Sequence, residues 1–181
     1  MTHRALALTS YNFKPDDKLL LDANIWLFIY GPRSPGDTKV EVYSDAFNKI
    51  LTAQCRIYID VLIVSEFINT YARLKWNLWK KDSGSPIEFK QFRKSERFKS
   101  IAQDIAADVK RILKHCLRMD NGFGSLAIDA LINDYASGNF DFNDQILANL
   151  CKNNGLKLVT DDSDFKNHEI FIITANKWLL V

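Results

Sequence analysis

Short apolar runs alternate along the chain with longer stretches of helical periodicity. Lys18 to Leu21 (KLLL) is an unbroken apolar run after its lysine, the pattern of a strand buried on both faces. Asp22 follows it, and Ala23 to Tyr30 then reads as a short helix stopped by Gly31-Pro32, with a loop from Arg33 to Gly36. Asp37 or Thr38 can cap a helix running to about Thr52, with Val42, Ala46, Ile50 and Leu51 on one face. Arg56 to Ile59 is a second strand, and a long helix from near Val61 carries Glu66, Ile68, Tyr71, Ala72 and Leu74 toward Lys80. Asp82-Ser83-Gly84-Ser85-Pro86 interrupts that pattern, with Ser85 expected as a helix cap and Pro86 in the first helical position. Helical spacing resumes at Ile87 and is strongest from Phe98 through Ile101, Ile105, Val109 and Ile112 to Leu113. His115 to Met119 forms a third strand ahead of Asp120-Asn121-Gly122. Helices over Leu126 to Ala136 and Asn143 to Lys152 close near Gly138 and Gly155, and Leu156 to Thr160 and Glu169 to Thr174 are the last strands.

Strands and helices in this order predict an α/β fold, a three-layer α/β/α sandwich around a mainly parallel sheet of about five strands. Residues 1–181 are expected to form one domain, with no internal repeat and no low-complexity tract. Right-handed crossovers put the carboxyl ends of all parallel strands on one edge, where ligands of such sheets bind.

Composition changes this picture little. An apolar content of 47% and an aromatic content of 12% exclude a disordered chain. Cys55, Cys116 and Cys151 are odd in number and widely spaced, which fits reduced structural thiols better than a zinc or redox motif. The start lacks the apolar length of a signal peptide, and no run approaches the roughly 18 apolar residues of a membrane span. A cytoplasmic protein with no membrane attachment is the expectation.

Charge is more informative, because the net +2 is unevenly placed. Between Arg73 and Lys99 stand nine basic residues and three acidic ones, so that segment carries +6 and the remainder −4. A basic helical insertion or extension at residues 76–100 therefore sits on an acidic body. Trp76, Trp79, Phe89 and Phe92 interleave with Lys80, Lys81, Lys90, Arg93 and Lys94. Lysines and arginines there could track phosphate, with rings stacking bases, which makes Lys80, Lys81, Arg93 and Lys94 candidate substrate contacts. The other readings are an amphipathic element with its rings turned inward, or a docking surface for a partner or second subunit. The tail from Trp178 to Val181 is open between strand packing and dimer surface.

The acidic body concentrates its chemistry at predicted strand ends. Asp22 ends the first strand, Asp161, Asp162 and Asp164 follow the fourth, Asp144 opens a helix, and Glu66 lies early in the helix after the second strand. Asp141 is a further acidic neighbour. Each acid alone has a plain alternative: Asp22 and Asp144 as helix caps, Glu66 on a helix surface, Asp161 to Asp164 as a turn. Their recurrence at successive strand–helix junctions is harder to dismiss. Carboxylates gathered at one edge repel one another, and Mg²⁺ or Mn²⁺, hard cations that prefer oxygen, would relieve the conflict. Such ions activate water and polarise a phosphodiester without a protein nucleophile. His3, His115 and His168 have neither the spacing nor the companions for another chemistry.

Four segments together resemble a known family. They are Leu19-Leu20-Leu21-Asp22-Ala23-Asn24, Val64-Ser65-Glu66-Phe67-Ile68-Asn69, Phe142-Asn143-Asp144-Gln145-Ile146-Leu147-Ala148 and Leu158-Val159-Thr160-Asp161-Asp162-Ser163-Asp164-Phe165. In this order, over about Lys18 to Thr174, they look like a PIN domain, and within it like the VapC-like ribonuclease toxins of toxin–antitoxin pairs. The resemblance implies a metal-dependent endoribonuclease in which Asp22, Glu66, Asp144 and Asp162 bind Mg²⁺ or Mn²⁺ and carry catalysis. It implies Asp164 as an auxiliary metal ligand, and Asn24 and Thr160 as residues that steady the carboxylates from behind. It also implies an RNA substrate, a cognate antitoxin protein and a homodimer. Three rival readings stay open: an RNA-processing or decay nuclease of the same family, an inactive RNA- or protein-binding module, and a haloacid-dehalogenase-like phosphohydrolase. The last needs a second acid two residues after Asp22, where Asn24 stands.

Overall fold

The structure, a computed structural model, describes residues 4–32, 37–138 and 140–180. The expected Arg33 to Gly36 loop and Val181 lie outside the described residues.

Six strands form one sheet: β1 (Arg4–Ala7), β2 (Lys18–Leu21), β3 (Arg56–Ile59), β4 (Cys116–Arg118), β5 (Lys157–Val159) and β6 (Phe171–Thr174). Their order is β1-β6-β5-β2-β3-β4, and every pairing is parallel. The sheet is thus one strand wider than the sequence predicts. The added strand is β1, whose RALA sequence has no apolar run and which joins the sheet only by lying in register along β6 at one edge.

Among the described residues seven helices cover the sheet: α1 (Ala23–Tyr30), α2 (Thr38–Thr52), α3 (Val61–Ser83), α4 (Phe89–Phe92), α5 (Glu96–His115), α6 (Ile128–Ala136) and α7 (Phe142–Asn154). Helix α1 packs against α2 and α3, and α3 against α5, whereas α6 and α7 make a separate pair. Right-handed crossovers place these two groups on opposite faces of the sheet, the sandwich expected. Leu19, Leu20, Leu21, Leu158 and Ile172 in its middle strands are fully buried, together with Trp26, Ile63 and Phe67 from the helices above.

The helix ends follow local rules where the sequence is explicit. Asp37 accepts from the Lys39 amide at 3.0 Å and starts α2, and Gly155, at φ +63°, closes α7 with a conformation that glycine adopts without strain. Gly31 ends α1 where a Cβ would lie 2.4 Å from the Leu27 carbonyl oxygen, so only glycine fits.

The expected cap at Ser85 and Pro86 is wrong. Residues 84–88 are non-helical, and the short α4 begins only after Glu88. Tertiary contact decides this: the Trp76 Nε1–H donates to the Ile87 carbonyl at 3.1 Å and holds the segment extended across α3. The tail forms a 3-10 turn over Lys177–Leu179, not a strand, with Leu179 buried and Trp178 exposed. Among the described residues no helix is long and apolar enough to cross a membrane.

The aromatic residues of the basic segment pack on one another. Trp79 stacks on Phe92 with ring centroids 5.0 Å apart, Trp76 meets Phe89 at 5.6 Å, and Phe92 meets Phe98 at 5.7 Å. Phe92 is fully buried among them. The rings are thus engaged inside the arm, and its cations are left outside.

Candidate functional site at the carboxyl edge of the sheet

Asp22 sits one residue past β2 and is buried. Its Oδ1 accepts from the Ala23 amide at 2.7 Å and so caps α1. Its Oδ2 accepts from Asn24 Nδ2 at 2.6 Å and from the Thr160 hydroxyl at 2.7 Å. The capping role weighed for Asp22 is therefore real, and it occupies only one of the two oxygens with the helix.

Thr160 and Asn24 tie this carboxylate to the end of β5. Thr160, fully buried, accepts in turn from Asn24 Nδ2 at 3.1 Å and from the Asp162 amide at 3.0 Å. Asn24 Oδ1 accepts from the Asp161 amide at 3.2 Å. Two strand ends that are adjacent in the sheet are thereby stitched through two neutral side chains, with no cation between them.

Asp161 and Asp162 are consecutive in sequence and part company in space. Asp161 forms an ion pair with Lys39 and accepts from the Tyr43 hydroxyl at 2.9 Å, at the start of α2. Asp162 turns the other way, accepts from the Asp164 amide at 3.0 Å and starts a 3-10 turn over Ser163–Asn167. Asp164 stands exposed on that turn. With Asp141, Tyr135, Phe140 and Lys166 it lines an open hollow of about 770 Å³.

The electrostatics show which acids are close. Burial, then the charge of Asp162, pushes the Asp22 carboxyl up to about 6, against the pull of its hydrogen bonds. Glu66, in the second turn of α3 with an exposed edge, is pushed up to about 7, first by desolvation and then by Asp22, Asp162 and Asp141. Asp144, in the first turn of α7, rises to about 8 by desolvation and then by Asp141, Asp22, Asp162 and Glu66. Asp22, Glu66, Asp144 and Asp162 therefore feel one another across three layers of the fold, with Asp141 beside them. All the neighbouring charges that shift Glu66 and Asp144 are negative. Among the described residues, no three His, Cys, Asp or Glu side chains converge into a ready-made cage for one ion.

One acid escapes the sequence reading. Asp60 follows β3 as Asp22 follows β2, is buried, and caps α3 through the Leu62 amide at 2.7 Å. Its Oδ2 has no hydrogen-bond partner among the described residues, and burial, followed by the charge of Asp120, raises its pKa. The signal was available: an acid between an apolar strand and a helix, as at Asp22. The charge that acts on Asp60 is that of Asp120 and not of the four-acid group, and its geometry is that of a cap.

The proposed substrate cations are spread along α3 and do not all lie at one distance from the acids. Glu66 and Lys80 are on the same helix, fourteen residues apart, so their Cα atoms are roughly 21 Å apart at 1.5 Å per residue. Lys81 follows Lys80 at that far end, whereas Arg93 lies against Ile68, Asn69 and Ala72, back along α3 toward Glu66.

A family model, PIN domain, matches residues 19–170. The chain belongs to the PIN domain family. That span holds all four acids and both side chains that tether Asp22. PIN domains are typically nucleases, and they generally use divalent metal ions. The comparison with curated proteins gives no match. Among solved structures, the PIN domain is similar to the Rickettsia felis VapBC2 structure, which is bound to a DNA fragment from its promoter. That likeness has a TM-score of 0.55 at 13% identity, covering 87% of this chain and 98% of that one. PAE2754 from Pyrobaculum aerophilum gives a TM-score of 0.48 at 15% identity, covering 99% and 96%.

Proposed function

We propose that this PIN domain is a Mg²⁺- or Mn²⁺-dependent endoribonuclease that hydrolyses RNA phosphodiester bonds, the toxin of a type II toxin–antitoxin pair. The observation that carries the nuclease reading is the four-acid group at one sheet edge: Asp22, Glu66 and Asp144 have raised pKa values, first by burial and then by neighbouring acids that include Asp162, with no cationic side chain among those charges. Carboxylates left uncompensated in this way suit a hard cation that binds oxygen. Mg²⁺ keeps several waters and needs few direct protein ligands, so the lack of a ready-made cage does not conflict with it.

In this reading Asp22, Glu66, Asp144 and Asp162 hold the metal, with Asp164 on the rim as an auxiliary ligand. Bound there, a divalent cation supplies an acidified water and polarises the phosphodiester. The chain supplies position. Thr160 and Asn24 fix the rotamer of Asp22 by donating to Oδ2, and with the Ala23 amide on Oδ1 they leave one acceptor site on Oδ1 for a ligand. The Asp164 amide does the same for Asp162 through Oδ1. Raised carboxyl pKa values keep protons on Glu66 and Asp144 until a cation displaces them, so loading the site releases protons.

The toxin assignment, with an antitoxin partner, a homodimer and a cytoplasmic setting, draws on the likeness to VapBC2 and on the motif order. A phosphohydrolase acting through a phosphoaspartate gains nothing from the geometry: Asn24, in the place of its second acid, is committed to Asp22, Thr160 and Asp161.

The test is purified protein with total RNA, in Mn²⁺ against EDTA, beside Asp22→Asn. Cleavage by the wild type in Mn²⁺ alone is expected, and mapping the fragment ends then names the target. No cleavage in Mn²⁺, and no rise in melting temperature on adding it, would instead mark an inactive binding module.

A further inference from the structure

We propose that the arm formed by the far half of α3, α4 and the start of α5 is a second RNA-binding site, which grips phosphates several nucleotides from the bond being cut. The inference rests on RNA being the substrate of the acidic edge, and it adds where and how the rest of that RNA is held.

Three observations carry it. The first is charge: the arm holds +6 on a body of −4, so net charge favours a polyanion along the arm and not along the rest of the chain. The second is that the arm is a built structure and not a solvated tail. Trp76, Trp79, Phe89, Phe92 and Phe98 interlock in a small aromatic core, and Trp76 is also hydrogen-bonded to Ile87. Cations are laid over the outside of that core: Arg73 4.7 Å from the Phe89 ring centre, Lys80 4.9 Å from Trp76, Arg97 5.9 Å from Trp79. A cation on a ring face keeps N–H bonds directed outward, so these groups are pre-positioned and still able to donate to phosphate.

The third observation is distance. Glu66 and Lys80 are roughly 21 Å apart on one rigid helix, about six phosphates of a stacked strand at ~3.4 Å each. The outer end of the arm, at Lys80 and Lys81, therefore cannot touch the scissile phosphate, while Arg93 lies back beside Ile68 and Asn69, nearer the edge. That outer end acts as an anchor at a fixed reach, and only an RNA long enough to span both places feels it. Since the rings face inward, recognition is of phosphate, without base preference. An acidic protein partner could also be attracted by this charge, but nine cations between Arg73 and Lys99 suit a repeating polyanion better.

The experiment uses the full chain and the triple variant Lys81→Glu, Lys90→Glu, Lys94→Glu. All three lysines are exposed and none forms an ion pair among the described residues; circular dichroism and the melting temperature of the variant are checked against the wild type. Binding to a thirty-nucleotide RNA is followed by fluorescence anisotropy in EDTA, where cleavage is off. Affinity is expected to fall by roughly tenfold or more, and the slope of log K against log salt to flatten by about 2, at ~0.7 per phosphate contact on a single strand. A trinucleotide, too short to span, is expected to be cleaved in Mn²⁺ at the same kcat/KM by both proteins, while KM for the long RNA rises in the variant. Unchanged affinity and slope overturn the proposal, as does equal weakening on both substrates. Because the binding arm of the test needs no metal, loss of RNA binding in the variant supports the anchor even if the wild type cleaves nothing, a result that would count only against the nuclease reading.

Discussion

The acidic edge and the basic arm sit on one helix and are built by opposite rules. At the edge, Asp22, Glu66, Asp144 and Asp162 come from α1, α3, α7 and the turn after β5, and the whole sheet is needed to bring them together. Their charges are alike and unbalanced. In the arm, residues close in sequence pack on one another, and Arg73, Lys80 and Arg97 each have a ring beneath them. The edge stores electrostatic strain that a ligand relieves, whereas the arm is complete in itself and offers its charge outward. A cation belongs at the first and an anion at the second.

The largest effect that separates the two comes from Asp22→Asn. It should reduce Mn²⁺-dependent RNA cleavage by about a thousandfold, the scale expected when a group that stabilises the transition state is lost. It should leave RNA binding in EDTA intact or slightly improved, since the edge repels RNA and the arm attracts it. Cleavage at the wild-type rate would break the assignment of the edge. Thr160→Val should cost about 1–3 kcal/mol of stability, because it removes one donor to Asp22 and leaves the Asp162 amide and Asn24 without their acceptor. Chemical denaturation and kcat together check it.

Phe92→Ala strikes the other region. It removes the ring buried between Trp79 and Phe98, and a core phenylalanine truncation costs about 3–5 kcal/mol. The arm should loosen while the edge stays formed, so hydrogen exchange should quicken over residues 76–100 and not at Asp22 or Thr160. Cleavage of a trinucleotide should survive. Uniform exchange across both regions would mean that they are one cooperative unit.

How far each region could be read from sequence follows from the same difference. The arm's charge, rings and helical spacing are local, and all were visible, yet Ser85 was misjudged as a cap because Trp76 reaches across from α3 to hold Ile87. The edge was legible only as motifs. Asp22, Glu66, Asp144 and Asp162 are marked by their places after strands and early in helices, but nothing in the string Asp161-Asp162 says which of the two joins the group. That choice is made by Lys39 and Tyr43, over a hundred residues away. Strand β1 was missed for a related reason: its sequence is indifferent, and only the edge of β6 makes it a strand. Asp60 was missed although it carries the same local mark as Asp22, since a long helix was read as beginning without an acid before it.

The pH dependence of stability tests the edge more gently. A carboxyl raised in the folded state binds its proton more tightly there than when unfolded, so its contribution is present at low pH and lost as pH climbs through the folded pKa. With Asp22 near 6, Glu66 near 7 and Asp144 near 8, the metal-free protein should lose stability progressively from about pH 4 to about pH 8. Mn²⁺ should raise Tm, and by more at pH 8 than at pH 5.5, where protons compete for the same oxygens. A flat profile in EDTA would mean that Asp22, Glu66 and Asp144 are neither buried nor crowded enough to hold their protons.

The smallest effect is expected from Asp161→Asn, and it sharpens the comparison because Asp161 borders the site without joining it. The change removes the charge facing the half-exposed Lys39 and keeps an oxygen that can accept from the Tyr43 hydroxyl. A loss of about 1 kcal/mol, some 2–4 °C in Tm, is the scale for such a pair in a chain of this size. Cleavage should stay within a few-fold of wild type, while Asp162→Asn loses most of it. If Asp161→Asn were the more damaging of the two, the turn after β5 would be presenting the other carboxylate to the metal, and the route by which Thr160 and Asn24 order the edge would have to be redrawn around it.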